Sequence, residues 1–477
     1  MPQQLCRRSA AWGCVTIIAW LSCCAPHIAS ANEECSIYVN GAAGTDKTGC
    51  GAAADSACKS VARALAESTI SSGTAVLCMT AATYSGALNA NTSLTGVKSS
   101  SDSSTPKFTS LTVRGAYDTT SPTASSIINC SSNFRGWTFA IPPATGSPPK
   151  TALSVSRVDF HSCVAPPALP GNQDSDGSGG GLLFIGDSLS VSNASFLGCH
   201  ATECGGGLSA HVWRGSFAME NTVFEGCAAP IAGGGAYVAT GAFSVTEDGA
   251  LGATQLDVFN STFVNNEVDG VADPRGGGLV INCSIPEQSA TALCHINVSH
   301  SLFADNNVES APEMGSVRGG AMYVGGSGIT TTGSTFALDH VTLQDNVVTV
   351  SGPGQSAGTV EADGGAIAFD GHTFASFIVT DCIFSRNYVN SQVAQGAVEP
   401  IMMRGGALTI TSPSVATGTV SASNEAGVVM ENCLFEHNSL FLSYDNVLDV
   451  EVFGGAVYST ADSLLCSVRS LLLEWGS

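Results

Sequence analysis

The sequence predicts an all-β chain, a single-stranded right-handed parallel β-helix solenoid with a short N-terminal helical cap. Three observations carry the prediction. A glycine doublet followed by a small or aliphatic residue recurs eight times. A Phe-x-x-Asn or Phe-x-x-Cys signature alternates with it. The composition suits short strands and bends, with 54 Gly, 44% apolar residues and only 12% charged residues in a chain of 477.

Residues 1–31 read as a signal peptide. Arg7 and Arg8 form a basic opening, an apolar stretch runs from Ala11 to Leu21, and Ala29-Ser30-Ala31 is a small-x-small cleavage site. The stretch is shorter than the ~20 residues that span a bilayer, and no later segment is long enough. The mature chain is therefore expected to have no membrane span and to be extracellular or held at the cell surface. Lys and Arg number 17 against 39 Asp and Glu, a net charge of −22. That balance argues against nucleic acid and anionic membranes as partners.

Four of the 18 cysteines fall in the leader, and the even remainder suits disulfides in an oxidising compartment. Cys50 and Cys58 flank a tight Gly/Ala loop and are expected to pair locally, with Cys35 and Cys78 as a second pair. Sequons start at Asn91, Asn129, Asn193, Asn260, Asn282 and Asn297, most of them expected to be accessible on a solenoid.

Residues 32–110 form the cap and the first coils. Lys59 to Ser68 has the pattern of a short amphipathic helix, with Val61, Ala62 and Leu65 on one face, which would cover an open strand edge. Strands are expected around Thr74 to Met79, Phe108 to Arg114 and Ile127 to Cys130. Residues 99–105, 142–150 and 166–178 read as loops.

Residues 111–459 hold the repeats. The doublets are Gly180-Gly181, Gly206-Gly207, Gly234-Gly235, Gly277-Gly278, Gly319-Gly320, Gly364-Gly365, Gly405-Gly406 and Gly454-Gly455. The partner signature occurs at Phe160/Cys163, Phe196/Cys199, Phe224/Cys227, Phe263/Asn266, Phe303/Asn306, Phe384/Asn387 and Phe435/Asn438, with Leu343/Asn346 filling the gap. Two signatures in roughly 42 residues suggest a coil of about 21 residues, three short strands and three bends. In stacked coils an inward Phe meets the Phe above and below. An Asn at a bend bonds the backbone and the next Asn, and Cys in the same place makes a small apolar stack. The glycines serve a bend with φ > 0 or a close backbone approach. Short alternating runs such as Leu338 to Leu343 and Phe377 to Phe384 read as strands. All these residues are read as structural. Residues 460–477 are apolar and off pattern, either a makeshift cap or the mark of a truncated gene product.

At these signatures the chain resembles the repeats of chlamydial polymorphic outer membrane proteins, which carry Gly-Gly-Ala-Ile and Phe-x-x-Asn motifs. More broadly it looks like the pectin-lyase-like superfamily. The segments Tyr38 to Gly41, Gly49 to Gly51 and Cys58 to Ser60 also resemble the opening of many such secreted proteins. The resemblance implies surface exposure and adhesion or autotransport. Insertion in an outer membrane is not carried over, because a membrane barrel would need a few hundred further residues.

The expected function is adhesin-like binding of an extracellular glycan or protein by a monomer. The alternative is a polysaccharide-modifying lyase, epimerase or hydrolase. Enzymes similar in fold use Ca²⁺ held by acids with an Arg or Lys base, or paired carboxylates. No Asp-Asp pair, Gly-His-Gly or Arg-x-Lys stands in the sequence, so no catalytic or cofactor-binding residue is assigned. One metal candidate is the loop with Asp174 and Asp176, which has the spacing of the first half of a calcium loop but Leu183 at its twelfth position. Arg275, Arg318, Asp363 and Arg404 precede successive glycine doublets. They read as a solvated charge ladder, or else as an anion- or carbohydrate-binding stripe. His300 and His340 fall three residues before the Phe/Leu column, where other repeats have Asn193, Asn221, Asn260, Asp381 and Asn432, and read as a bend.

Overall fold

The computed structural model describes residues 34–467 outside 71–72, 96–106, 142–149, 168–176, 214, 241–253, 271–272, 284–292, 311–314, 327–333, 353–359, 371–375, 394–400, 412–426, 445–449 and 460–463. The signal-peptide reading, most of the three expected loops and the last ten residues of the chain lie outside them.

The compact unit that begins at Cys35 is nearly all β, its strands lying in five purely parallel sheets. Sheet A has twelve strands, from Ile37–Val39 to Leu464–Ser467. Sheet B has ten, from Thr83–Ser85 to Leu434–Glu436, and sheet C has ten, from Thr92–Ser93 to Val457–Ser459. Sheet D has six, from Ala228–Ala229 to Ser439–Tyr444, and sheet E four, from Gly315–Arg318 to Val450–Phe453. One circuit of the chain runs Leu279–Cys283 in C, Cys294–Ser299 in A, Leu302–Ala304 in B, Asn307–Ser310 in D and Gly315–Arg318 in E, then returns to C at Met322–Gly325. This stack is consistent with a parallel β-helix.

The circuit is longer than the signatures suggest. Phe224 lies opposite Phe263, and Phe263 opposite Phe303. Asn266 reaches Asn306 across 40 residues of sequence. A coil of about 21 residues is therefore overturned. Both signatures lie on one circuit, the Phe on sheet B and the glycines at the entry to sheet C. Physically this is required, because a Phe can stack on a Phe only if the circuit length equals the Phe spacing.

Strands of sheet A alternate half-buried and buried residues, as in Thr335–Asp339, so one face fills the core and the other meets solvent. Between A and B the chain turns at a residue in the left-handed region. This column is Asn193, Asn221, Asn260, His300, His340, Asp381 and Asn432, all with φ between 45° and 53°. Asn and Asp tolerate that region better than most side chains. The runs from Leu338 and from Phe377 are consequently each two strands, broken at His340 and Asp381.

A second left-handed column consists of Gly179, Gly205, Gly233, Gly276, Gly319, Gly364, Gly405 and Gly454. In the first four repeats the bend thus starts one residue before the doublet named from the sequence, inside a glycine triplet. The next residue meets the adjacent circuit so closely that a Cβ at Gly320 would run into the Gly365 carbonyl oxygen. In the last four repeats Ala321, Ala366, Ala407 and Ala456 replace the third glycine.

Sheets D and E lengthen the later circuits and share a small core of Val268, Val308, Val317, Val348, Ala362 and Met403. At the start of the unit, α1 (Val61–Glu67) buries Val61, Ala64 and Leu65. Ala62, expected on that face, is only half-buried. The Asp46 carboxylate accepts the amides of Lys59 (2.8 Å) and Ser60 (2.9 Å) just before α1, and Lys107 Nζ donates to the Leu65 carbonyl (2.8 Å) at its end. Disulfides join Cys35–Cys78, Cys50–Cys58, Cys130–Cys163 and Cys283–Cys294. Cys163 is therefore cross-linked, not a thiol in an apolar stack as the sequence suggested. Among the described residues no helix is long and apolar enough to cross a membrane.

Candidate functional site

Columns of stacked side chains run through the core beneath the surface residues. Phe160, Phe196, Phe224, Phe263 and Phe303 stack in sequence with ring centroids 4.6–5.0 Å apart, and Phe384 stacks on Phe435 at 4.5 Å. Leu343 fills the position between Phe303 and Phe384. Beside them, each of Asn266, Asn306, Asn346 and Asn387 donates from Nδ2 to the next Asn Oδ1 at 2.9–3.0 Å, ending at Asn438. Each also donates to a carbonyl of the preceding circuit, as Asn346 does to Phe303 at 3.0 Å. Cys227 begins the amide column by donating its backbone N–H to Asn266 Oδ1 at 3.1 Å, and Cys199 precedes it.

The arginine column is not a solvated ladder. Each of these residues precedes an αL glycine, and Asp363 is 2% exposed. Arg404 clasps Asp363 through Nε (2.7 Å) and Nη2 (3.0 Å) and reaches Glu361 at 2.7 Å. Arg318 adds contacts to Asp363 (3.6 Å) and Glu361 (3.4 Å). Burial pushes the Asp363 carboxyl upward while Arg404 and Arg318 oppose it. Arg275 lies over the Tyr323 ring, 4.9 Å from its centroid, and 3.7 Å from Asp273. The guanidiniums of Arg318 and Arg404 thus pair with carboxylates on the adjacent strand of sheet E, and the seam ties successive circuits together, while Arg275 rests on the Tyr323 ring of sheet C.

The corner between sheets A and B is different. Its left-handed residues point outward in register over successive circuits. Asn260 donates to Asn221 (2.6 Å), which donates to Asn193 (3.3 Å). Phe259, one residue before this column, is 43% exposed. Its ring lies 5.3 Å from His300, and His300 stacks on His340 at 5.0 Å with an interplanar angle of 9°. Next in line, His340 Nδ1 is 2.9 Å from Asp339 Oδ1, and Thr380 Oγ1 donates to that same oxygen at 2.8 Å. Asp339, His340 and Asp381 bring one ligand atom each within 4.8 Å of one another, a set able to hold a divalent cation. A comparable grouping of Asp46, Cys50 and Cys58 offers none, because its two sulfurs are bonded to each other.

The ridge thus carries an exposed aromatic and imidazole platform flanked by amides and carboxylates. Sequence reasoning found His300 and His340 as a bend but missed Phe259. Its signal was a large apolar residue where neighbouring circuits have Ser192, Glu220, Ser299 and Asp339. The calcium-loop acids Asp174 and Asp176 lie outside the described residues. No protein-family model, curated protein or solved structure matches the chain.

Proposed function

We propose that the chain is a secreted, right-handed parallel β-helix that binds an extracellular glycan along the ridge between sheets A and B. The right hand follows from the near-universal handedness of parallel crossovers. Secretion is supported by the N-terminal pattern of Arg7, Arg8 and Ala29-Ser30-Ala31 and by the four disulfides. The observation that carries the binding reading is the exposed stack of Phe259, His300 and His340. The exposed Phe259 ring suits the apolar C–H side of a sugar, while the outward edges of the stacked His300 and His340 rings, with Asn221, Asp339 and Asp381, offer donors and acceptors for its hydroxyls. The net charge of −22 repels polyanions, so a neutral or basic glycan is favoured.

A glycan array followed by titration tests this. Phe259→Ala and His340→Ala should each weaken binding about tenfold, the effect of about 1.4 kcal/mol, without moving the unfolding midpoint. No binding by the wild-type chain at high micromolar concentration overturns the proposal. A second reading, a polysaccharide-modifying enzyme, draws on the Asp339–His340 contact beside Asp381, an acid–base set in reach of a bound sugar. Turnover of a polysaccharide that disappears in Asp381→Asn would favour it.

A further inference from the structure

We infer that Cys199–Cys227 and Cys382–Cys433 are disulfides in the mature protein, each fastening one circuit to the next. The register carries the argument. Cys199 and Cys227 lie between the paired residues Leu197/Glu225 and His200/Ala228, so they stand side by side. Cys382 and Cys433 lie likewise between Thr380/Glu431 and Ile383/Leu434. Adjacent parallel strands are about 4.8 Å apart, inside the roughly 4.4–6.8 Å that a disulfide spans between Cα atoms. Cys130–Cys163 is already bonded in the same column as the first pair, with Cα atoms 4.8 Å apart. Both pairs stand as thiols in the structure, with Cys227 Sγ 3.3 Å from the Phe196 carbonyl and Cys433 Sγ 3.5 Å from the Val379 carbonyl, each sulfur turned toward the circuit that carries its partner.

The pairing is also exclusive. Cys199 has Cys163 on one side and Cys227 on the other. Cys163 is committed to Cys130, and the far neighbour of Cys227 is Asn266. Four consecutive circuits of cysteine therefore close as two bonds with no thiol left over. Cys382 has Val341 behind it and only Cys433 ahead.

Each closure breaks two S–H bonds, forms one S–S bond and releases two protons and two electrons. These pass to the disulfide of a thiol oxidase or of oxidised glutathione, which is reduced to two thiols. All four sulfurs sit in the core, so the bonds close as the circuits stack and then have no access to reductant. Cys204 has no cysteine opposite it and stays a thiol. Burial and the neighbouring Glu203 push it to about 12, which leaves it poorly nucleophilic.

The test uses the full chain secreted from a eukaryotic host, unfolded without reductant in N-ethylmaleimide, cleaved with an acid protease and mapped by mass spectrometry. The expected result is two linked peptide pairs, Cys199 with Cys227 and Cys382 with Cys433, and no maleimide on any of the four. Alkylation of these four in molecules whose Cys50–Cys58 bond is intact would overturn the inference, as would a Cys163–Cys199 link. Cys227→Ser should convert Cys199 from fully protected to fully alkylated. Continued protection there would contradict the pairing.

Discussion

A buried carboxamide stabilises a fold only if all of its hydrogen-bonding capacity is used. Asn346 meets that condition. It donates to Asn387 Oδ1 and the Phe303 carbonyl, and its Oδ1 accepts both the backbone N–H and the Nδ2 of Asn306. Removing it takes a partner from Asn306 and the Phe303 carbonyl on the circuit before it and from Asn387 on the circuit after it. Asn346→Ala is expected to destabilise the chain by about 3 kcal/mol, the cost of one or two unsatisfied buried groups, read as a lowered urea midpoint. The recurrence of Asn and Phe was legible because a column repeats its residue type. The arginine seam was not. Arg318, Asp363 and Arg404 look like surface charges in sequence, and only the register of three successive circuits shows that Asp363 is buried between them.

The bends decide how long each element is. At Gly320 the obstacle is the carbonyl of the next circuit, with no side chain there to move aside. At Gly226, φ is +61° but nothing lies near the missing Cβ. Gly226→Ala should therefore cost only about 1–2 kcal/mol for the left-handed conformation, whereas Gly320→Ala must displace a strand and should lower the midpoint by clearly more. Equal shifts in the two variants would refute this assignment. The sequence showed that glycines mark a bend, but the triplets hid which glycine bears the positive φ, since Gly276, Gly277 and Gly278 are chemically identical. From Gly319 on, the third position is Ala, and that change of residue marks the frame.

Over the whole molecule, the same two signatures admit two windings, one signature per turn or both on one turn. Motif spacing alone cannot separate them. The stacking partner of each Phe does, and it sits a full signature pair away. The difference reaches the ridge. Phe259, His300 and His340 come together only because successive circuits return to the same corner after about 40 residues. The extra length relative to a three-sided coil lies in sheets D and E, whose strands are polar enough at their outer faces to read as loop. Disulfide trapping tests this winding most directly. Thr262 and Leu302 are opposed in sheet B on its half-exposed face. The double variant Thr262→Cys/Leu302→Cys is predicted to form an intramolecular bridge between those two positions under mild oxidation. Failure to form it, or a bridge from position 262 to Cys283, about 21 residues away as a one-signature turn would require, would contradict the account.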